Sequence, residues 1–228
     1  MSNRAHSNPP HTDERMPCPR NVDVLVVGEA LVDVVDTGAE RTEHVGGSPA
    51  NVALGLGRLG VPVGLLTQLA DDLRGRRIID HLQASGVHVL AESMSASATS
   101  TAVARIAADG HAEYTFDLTW DAVARPEDIR PRLVHTGSIG ALLEPGAASV
   151  RTLLHATSAT EITFDPNIRP ALLGSRDTVF PNFEATARMS TVLKMSDEDA
   201  DWLYPGTPLE DVVDTVLALG PQLAAITL

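Results

Sequence analysis

Val22-Asp23-Val24-Leu25-Val26-Val27, ending at Gly28 and followed by Glu29-Ala30-Leu31-Val32-Asp33, is the stretch that decides the fold. VDVLVV is a nearly continuous apolar run closed by glycine, which reads as a strand buried on both faces. Leu31 to Val35 follows at once, as a second strand or a continuation of the first. Beyond it, Ser48-Pro49 opens a helix running to about Gly60, with Ser48 as N-cap and Pro49 at the first helical position. Val61 to Leu69 is strand-like, Leu73 to Ser85 is a helix stopped by Gly86, and Val87 to Leu90 starts another strand. From Leu133 the alternation is regular. Strands are expected at Leu133 to Thr136, Glu161 to Phe164, Thr191 to Met195 and Leu223 to Leu228. Helices are expected from Glu144 to Ala156 and from a capping box at Thr207-Pro208-Leu209-Glu210 to Leu219. Strands alternating with helices imply an α/β fold whose central sheet is mostly parallel and flanked by helices.

One region does not fit that layer. Thr99 to Ile106 and Glu113 to Phe116 are β-prone runs on either side of Asp109-Gly110, a hairpin turn signal. They read as a small separate β element. Composition supports a packed domain: 43% of the 228 residues are apolar and only 4% aromatic, so aliphatic side chains fill the core. With 17 basic against 30 acidic residues the net charge is −13, which argues against a nucleic-acid surface. Cys18 is the only cysteine, so no intrachain disulfide can form. No apolar run approaches a membrane span, and the proline-rich residues 1–21 contain no signal-peptide core. A disordered extension on a cytoplasmic protein is expected, with the folded domain over 22–228.

Gly55-Leu56-Gly57-Arg58-Leu59-Gly60 matches the G-x-G-x-x-G dinucleotide fingerprint, the basis of an oxidoreductase alternative. That chemistry needs the glycines in the turn between a strand and a helix. Here they follow Asn51-Val52-Ala53-Leu54, late in a helix, where close packing and a C-cap are expected. The more informative residues come earlier. Asp33 stands just past a buried strand, and ligands of open α/β sheets gather beyond the carboxyl ends of strands. Gly46-Gly47-Ser48-Pro49-Ala50-Asn51 supplies a paired-glycine turn at which backbone can approach a ligand, and an asparagine in the first helical turn. Asp33 and Asn51 suit a polyol-binding pair; a turn aspartate and a local cap fit the same residues.

GEALVD at 28–33, GGSPANVALGLGRLG at 46–60 and Asp165-Pro166-Asn167-Ile168-Arg169-Pro170 together resemble the ribokinase-like PfkB carbohydrate kinases, in the fructokinase and 2-keto-3-deoxygluconate kinase branch. The resemblance runs from about Val22 to Leu228. It implies a ribokinase-like fold with a small β-lid over the sugar, in which the lid hairpin at about 99–117 is a candidate homodimer contact. It implies ATP-dependent phosphorylation of a sugar hydroxyl, with ATP and Mg²⁺ as cofactors. By residue it implies that Asp33, Gly46, Gly47, Asn51 and Asp165 bind the sugar, and that Asn167, Arg169 and Lys194 lie near the transferred phosphate. Thr227 resembles the threonine at which the family's nucleotide site begins. Asp71-Asp72 with Gly75 resembles the family's G-D-D-x-x-G stretch, with Ala70 in place of the first glycine. Ser196-Asp197-Glu198-Asp199 stands where the family has N-x-x-E, which makes Asp199 a candidate magnesium contact; Ser-x-x-Asp is equally a helix capping box. No Gly-Ala-Gly-Asp string, the family's anion hole and base, occurs between Met1 and Leu228. The expectation is therefore an acceptor-binding part of a kinase that is inactive by itself. A non-catalytic sugar-binding module is the alternative.

Overall fold

The computed structural model describes residues 22–106 and 112–228. Two sheets organise it. The main sheet holds seven strands, β1 (Val24–Val27), β4 (Val63–Leu66), β5 (Val87–Val89), β8 (Leu133–Gly137), β9 (Glu161–Asp165), β10 (Val192–Ser196) and β11 (Leu223–Thr227), in the order β11-β10-β9-β8-β1-β4-β5. Every pairing in it is parallel. Parallel strands need crossovers, and the helices supply them: α1 (Ser48–Arg58), α2 (Leu73–Gln83), α3 (Ser138–Leu142), α4 (Gly146–Ala156), α5 (Pro170–Leu173), α6 (Arg176–Ala187), α7 (Asp197–Leu203) and α8 (Leu209–Leu219). Helices on both faces explain why β1 and β4 read as unbroken apolar runs: Leu25 to Val27 and Val63 to Leu66 are all buried. The core forms on the two faces of this sheet, with Phe164 and Phe183 at its centre on the β9–β10 side.

The order of strands matters for function. From β1 the chain moves outward through β4 and β5, then returns to β8 on the other side of β1 and moves outward the opposite way. The reversal leaves a crevice beyond the carboxyl ends of β1 and β8, where open α/β sheets bind ligands.

The second sheet contains β2 (Leu31–Asp36), β3 (Arg41–Gly46), β6 (Thr101–Ile106) and β7 (Ala112–Asp117), in the order β3-β2-β6-β7. The pairing of β6 with β7 is antiparallel and outside the main sheet, as the β-prone runs implied. The element is larger than that hairpin, because β2 pairs with β6 and with β3. The expected turn at Asp109-Gly110 and the expected disorder of 1–21 lie outside the described residues.

Three local readings change. Gly47, with φ of 102°, is the N-cap of α1 in place of Ser48, which becomes the first helical residue. The helix expected from Glu144 begins two residues later as α4, and an unexpected short helix, α3, precedes it. The capping box at Thr207 does not form; α8 begins after Pro208 with no side-chain cap. The glycine decoy sits as expected. Gly55 and Gly57 are inside α1, and a Cβ on Gly57 would lie 2.4 Å from the Ser85 carbonyl oxygen, which is helix packing.

Candidate functional site

The crevice at the strand reversal is a cavity of about 600 Å³ between the two sheets. Its floor comes from the main sheet: Glu29 after β1, Ser138 and Ile139 in α3 after β8, and Asn167 and Arg169 after β9. Its roof comes from the small sheet: Leu31 and Asp33 in β2, Ala102 in β6 and Phe116 in β7. The start of α1 closes one side with Gly47, Ser48 and Asn51, and α5 the other with Pro170, Ala171 and Leu172. A mostly apolar wall with a few convergent polar groups is the usual make-up of a small-molecule site.

The cavity joins residues far apart in sequence. Asp33 points into it from the middle of β2, opposite His44 in the β2–β3 pair. Partial burial raises the Asp33 pKa, and the nearby His44 pulls it back. Gly46 makes room for this carboxylate: a Cβ there would lie 2.1 Å from Asp33 Oδ2. Gly47 lets the backbone pass Glu29, whose carbonyl oxygen would lie 2.6 Å from a Cβ at 47. Among the described residues two non-glycine residues have positive φ, Ser138 at 51° and Asn167 at 36°, and both line the cavity. The Ser138 hydroxyl donates to the Asn167 carbonyl at 3.4 Å. Such conformations cost energy and persist where the surroundings enforce them, often at binding sites.

Asp165, Lys194, Asp199 and Thr227 lie outside the cavity lining, at the carboxyl ends of β9, β10 and β11 and the start of α7. Lys194 Nζ is 3.3 Å from Asp165 Oδ2. Burial raises the Asp165 pKa, the Lys194 ammonium opposes it, and Oδ1 is buried with no hydrogen-bond partner among the described residues. The capping box at Ser196 is complete: Ser196 Oγ accepts from Asp199 N–H at 3.0 Å and Asp199 Oδ2 accepts from Ser196 N–H at 3.1 Å. Asp199 Oδ1 accepts from Ile168 N–H at 2.7 Å, so this buried carboxylate holds the Asn167–Arg169 turn in place from behind. Both its oxygens accept from backbone amides, Oδ2 as the capping-box reading of this residue requires. Among the described residues no three His, Cys, Asp or Glu side chains cluster as a metal site. Thr227 Oγ1 donates to the Met195 carbonyl at 3.4 Å. Arg169 Nη1 donates to the Ile168 carbonyl at 2.9 Å.

Asp72 has a different place from Asp33. It caps α2 by accepting from Gly75 N–H at 2.7 Å, and it accepts from Thr99 N–H at 2.9 Å and Thr99 Oγ1 at 2.8 Å where the chain enters β6. Burial pushes its pKa up, but these bonds outweigh burial and hold it below the ordinary value. Glu29, Ser138, Ile139 and Phe116 also line the cavity, with no motif role in the sequence to mark them. Ser138 was accessible in principle, since it follows β8 as Glu29 follows β1; Phe116 required knowing how the small sheet folds over.

A seven-stranded parallel sheet, a four-stranded cover and a crevice at the reversal define an α/β protein with a cavity of small-molecule size. Comparison with known proteins gives the family. Residues 21–228 match the pfkB family carbohydrate kinase profile, and the chain belongs to that family. It is 30% identical over 193 residues to a fructokinase of Rhizobium leguminosarum bv. trifolii, covering 78% of this chain and 59% of that protein, so it spans less than two thirds of that relative's length. The fold is similar to the PfkB protein from Polaromonas sp. JS666, at TM-score 0.76 and 22% identity over 91% of this chain and 76% of that one. It is also similar to the fructokinase from Xylella fastidiosa with bound ATP, at TM-score 0.75 and 21% identity over 91% of this chain and 73% of that one. No described helix is long and apolar enough to cross a membrane.

Proposed function

We propose that these residues form the acceptor-binding part of an ATP-dependent carbohydrate kinase whose substrate is a fructose-like sugar. The observation that carries this reading is the meeting of Asp33, Asn51 and Arg169 in one cavity under the small sheet. Asp33 accepts hydrogen bonds from sugar hydroxyls, Asn51 both donates and accepts, and Gly46 and Gly47 let the backbone come close. Leu31, Ala102 and Phe116 cover the apolar face of the ring, and the small sheet acts as a lid that excludes water. Arg169 supplies positive charge toward the transferred group.

Phosphoryl transfer depends mostly on positioning and on stabilising charge, part of which Mg²⁺ would supply when bound. ATP belongs beyond the carboxyl ends of β10 and β11, on the side of Lys194 and Thr227. Asp165 and Lys194 act as a pair that sets the charge beside the Asn167–Arg169 turn. The name of the Rhizobium relative favours fructose. The family's Gly-Ala-Gly-Asp base motif does not occur in these 228 residues. On this reading the chain as written binds sugar with little turnover, since a missing general base costs about 10²–10⁴ in rate.

Titration calorimetry with fructose, ribose and 2-keto-3-deoxygluconate tests the site, with ADP release followed in parallel. Asp33→Ala is expected to weaken the preferred sugar by roughly 10- to 100-fold, the scale of a hydrogen bond to a charged group. Unchanged affinity for all three sugars would remove Asp33 from the site. Turnover in the range of about 1–100 s⁻¹ would show that the base lies within these residues.

A further inference from the structure

Glu29 follows β1 at the strand reversal and is only 6% exposed. Its carboxylate oxygens serve two different elements. Oε1 accepts from Ser48 N–H at 3.3 Å, at the start of α1, and Oε2 accepts from Gly140 N–H at 2.8 Å, in α3. These amides belong to opposite walls of the cavity: α1 carries Ser48 and Asn51, and α3 carries Ser138 and Ile139. The surroundings are closed around this carboxylate. A Cβ on Gly140 would lie 2.5 Å from Gly28 Cα and 3.3 Å from Glu29 Oε2. Gly140 is fixed from its other side too, because Trp120 Nε1 donates to the Gly140 carbonyl at 3.0 Å, in the segment that leaves the small sheet.

We propose that Glu29 is a positioning residue of the sugar site: one carboxylate, accepting on both oxygens, sets the distance between the α1 wall and the α3 wall. The ligand in this proposal rests on the sugar reading above; the bracket itself rests on the two hydrogen bonds. Only an ionised carboxylate serves both amides equally. A glutamine or a protonated acid presents a donor where an N–H already points, and one wall is released. Burial pushes the Glu29 carboxyl up to about 7, against the pull of the Gly140 and Ser48 amides, so it is mostly ionised at about pH 8. The charged side chains sharing the cavity are Asp33 and Arg169. α1 carries only Arg58, at its far end, β1 and α3 carry none, and β8 carries His135.

Two measurements test this, both at about pH 8. The first is amide exchange of the sugar-free protein in wild type, Glu29→Gln and Glu29→Ala. Protection is expected to fall at the Ser48 or the Gly140 segment in Glu29→Gln and at both in Glu29→Ala, with β10 and β11 unchanged. The second is fructose affinity. Glu29→Gln is expected to bind about tenfold more weakly than wild type, the scale of one charge-assisted hydrogen bond. Wild-type protection at both segments in Glu29→Ala would overturn the proposal, as would a Gln variant that binds like wild type. If wild type takes no fructose, the sugar reading fails by itself; the exchange data then decide Glu29, upheld by loss at both segments in Glu29→Ala and overturned by its absence.

Discussion

The two sheets of this protein differ in how far burial holds them. In the main sheet, β1 and β4 are buried almost throughout and helices cover both faces, so burial of aliphatic and aromatic surface sets their stability. In the small sheet, β3 is exposed or half-buried at every residue but Gly46, and Tyr114 of β7 is 61% exposed. Its attachment to the rest of the molecule is apolar through β2, where Val32 and Val34 share a buried cluster with Val26, Ile78 and Leu82, with polar anchors at its other strands. Asp72 holds Thr99, the Ser100 hydroxyl accepts from Thr119 N–H at 3.0 Å, and Arg74 meets Glu43 at 2.6 Å. The contrast teaches that the cover can loosen at its anchors while the floor stays intact, which suits a segment that opens and closes over a ligand.

Removing a main-sheet aromatic should have the largest effect. Phe164 is 1% exposed and packs on Phe183 at 5.8 Å between ring centroids. Phe164→Ala is expected to cost about 3–5 kcal/mol of global stability in denaturant melts, with loss of the small sheet at the same midpoint.

Two buried titratable groups sharpen it next. Burial alone lowers the pKa of His135, in β8, to about 4, so its neutral form is favoured and it contributes stability above about 6.5 that is lost as pH falls through about 4. Glu29 has the opposite sign. Its folded pKa of about 7 lies above the ordinary 4.5, so its contribution is complete below about 4.5 and is lost as pH rises through about 7. Each amounts to about 3 kcal/mol, and the two windows nearly coincide. They are expected to offset one another in wild type. Glu29→Gln should expose a steeper acid loss, and His135→Asn should make stability rise as pH falls from about 7 to about 5, both read from urea midpoints. A Glu29→Gln protein with the wild-type pH profile would show that Glu29 does not titrate in this range.

The polar anchor should have the smallest effect and the most local one. Asp72→Ala removes the α2 cap and both bonds to Thr99, and is expected to cost about 1–3 kcal/mol. Exchange in β6 and β7 should accelerate far more than in β8 and β9. Equal acceleration in both sheets would mean that they unfold as one unit.

Much of the main sheet could be read directly, because its strands announce themselves. VLVV at β1 and VGLL at β4 have no other stable use than burial, and Gly28 marks where β1 stops. β3, by contrast, reads Arg41-Thr42-Glu43-His44-Val45-Gly46, a charged edge strand whose pairing with β2 supplies the order that its apolar content does not. α6 was equally unreadable, since Pro181 interrupts it and its inward face rests on Val179, Phe183, Thr186 and Ala187. At the site, Asp33, Gly46, Gly47 and Asn51 were legible because they share short motifs with strict backbone demands.

The alternation of buried strands and helices, the paired glycines, the capped start of α7 and the family motifs all follow from the residues alone. These are local: a glycine forced by a nearby carboxylate, or a Ser-x-x-Asp that closes on its own backbone, carries its reason within a few residues. What only the tertiary structure decided is which local features meet. The reversal of strand order puts Glu29 beside Gly140, 111 residues away, and folds Phe116 over Asp33. It also assigns Asp199 to the Ile168 amide. No local pattern encodes these pairings, because each depends on parallel strands finding their neighbours across long crossovers, and that is settled only when the whole core packs.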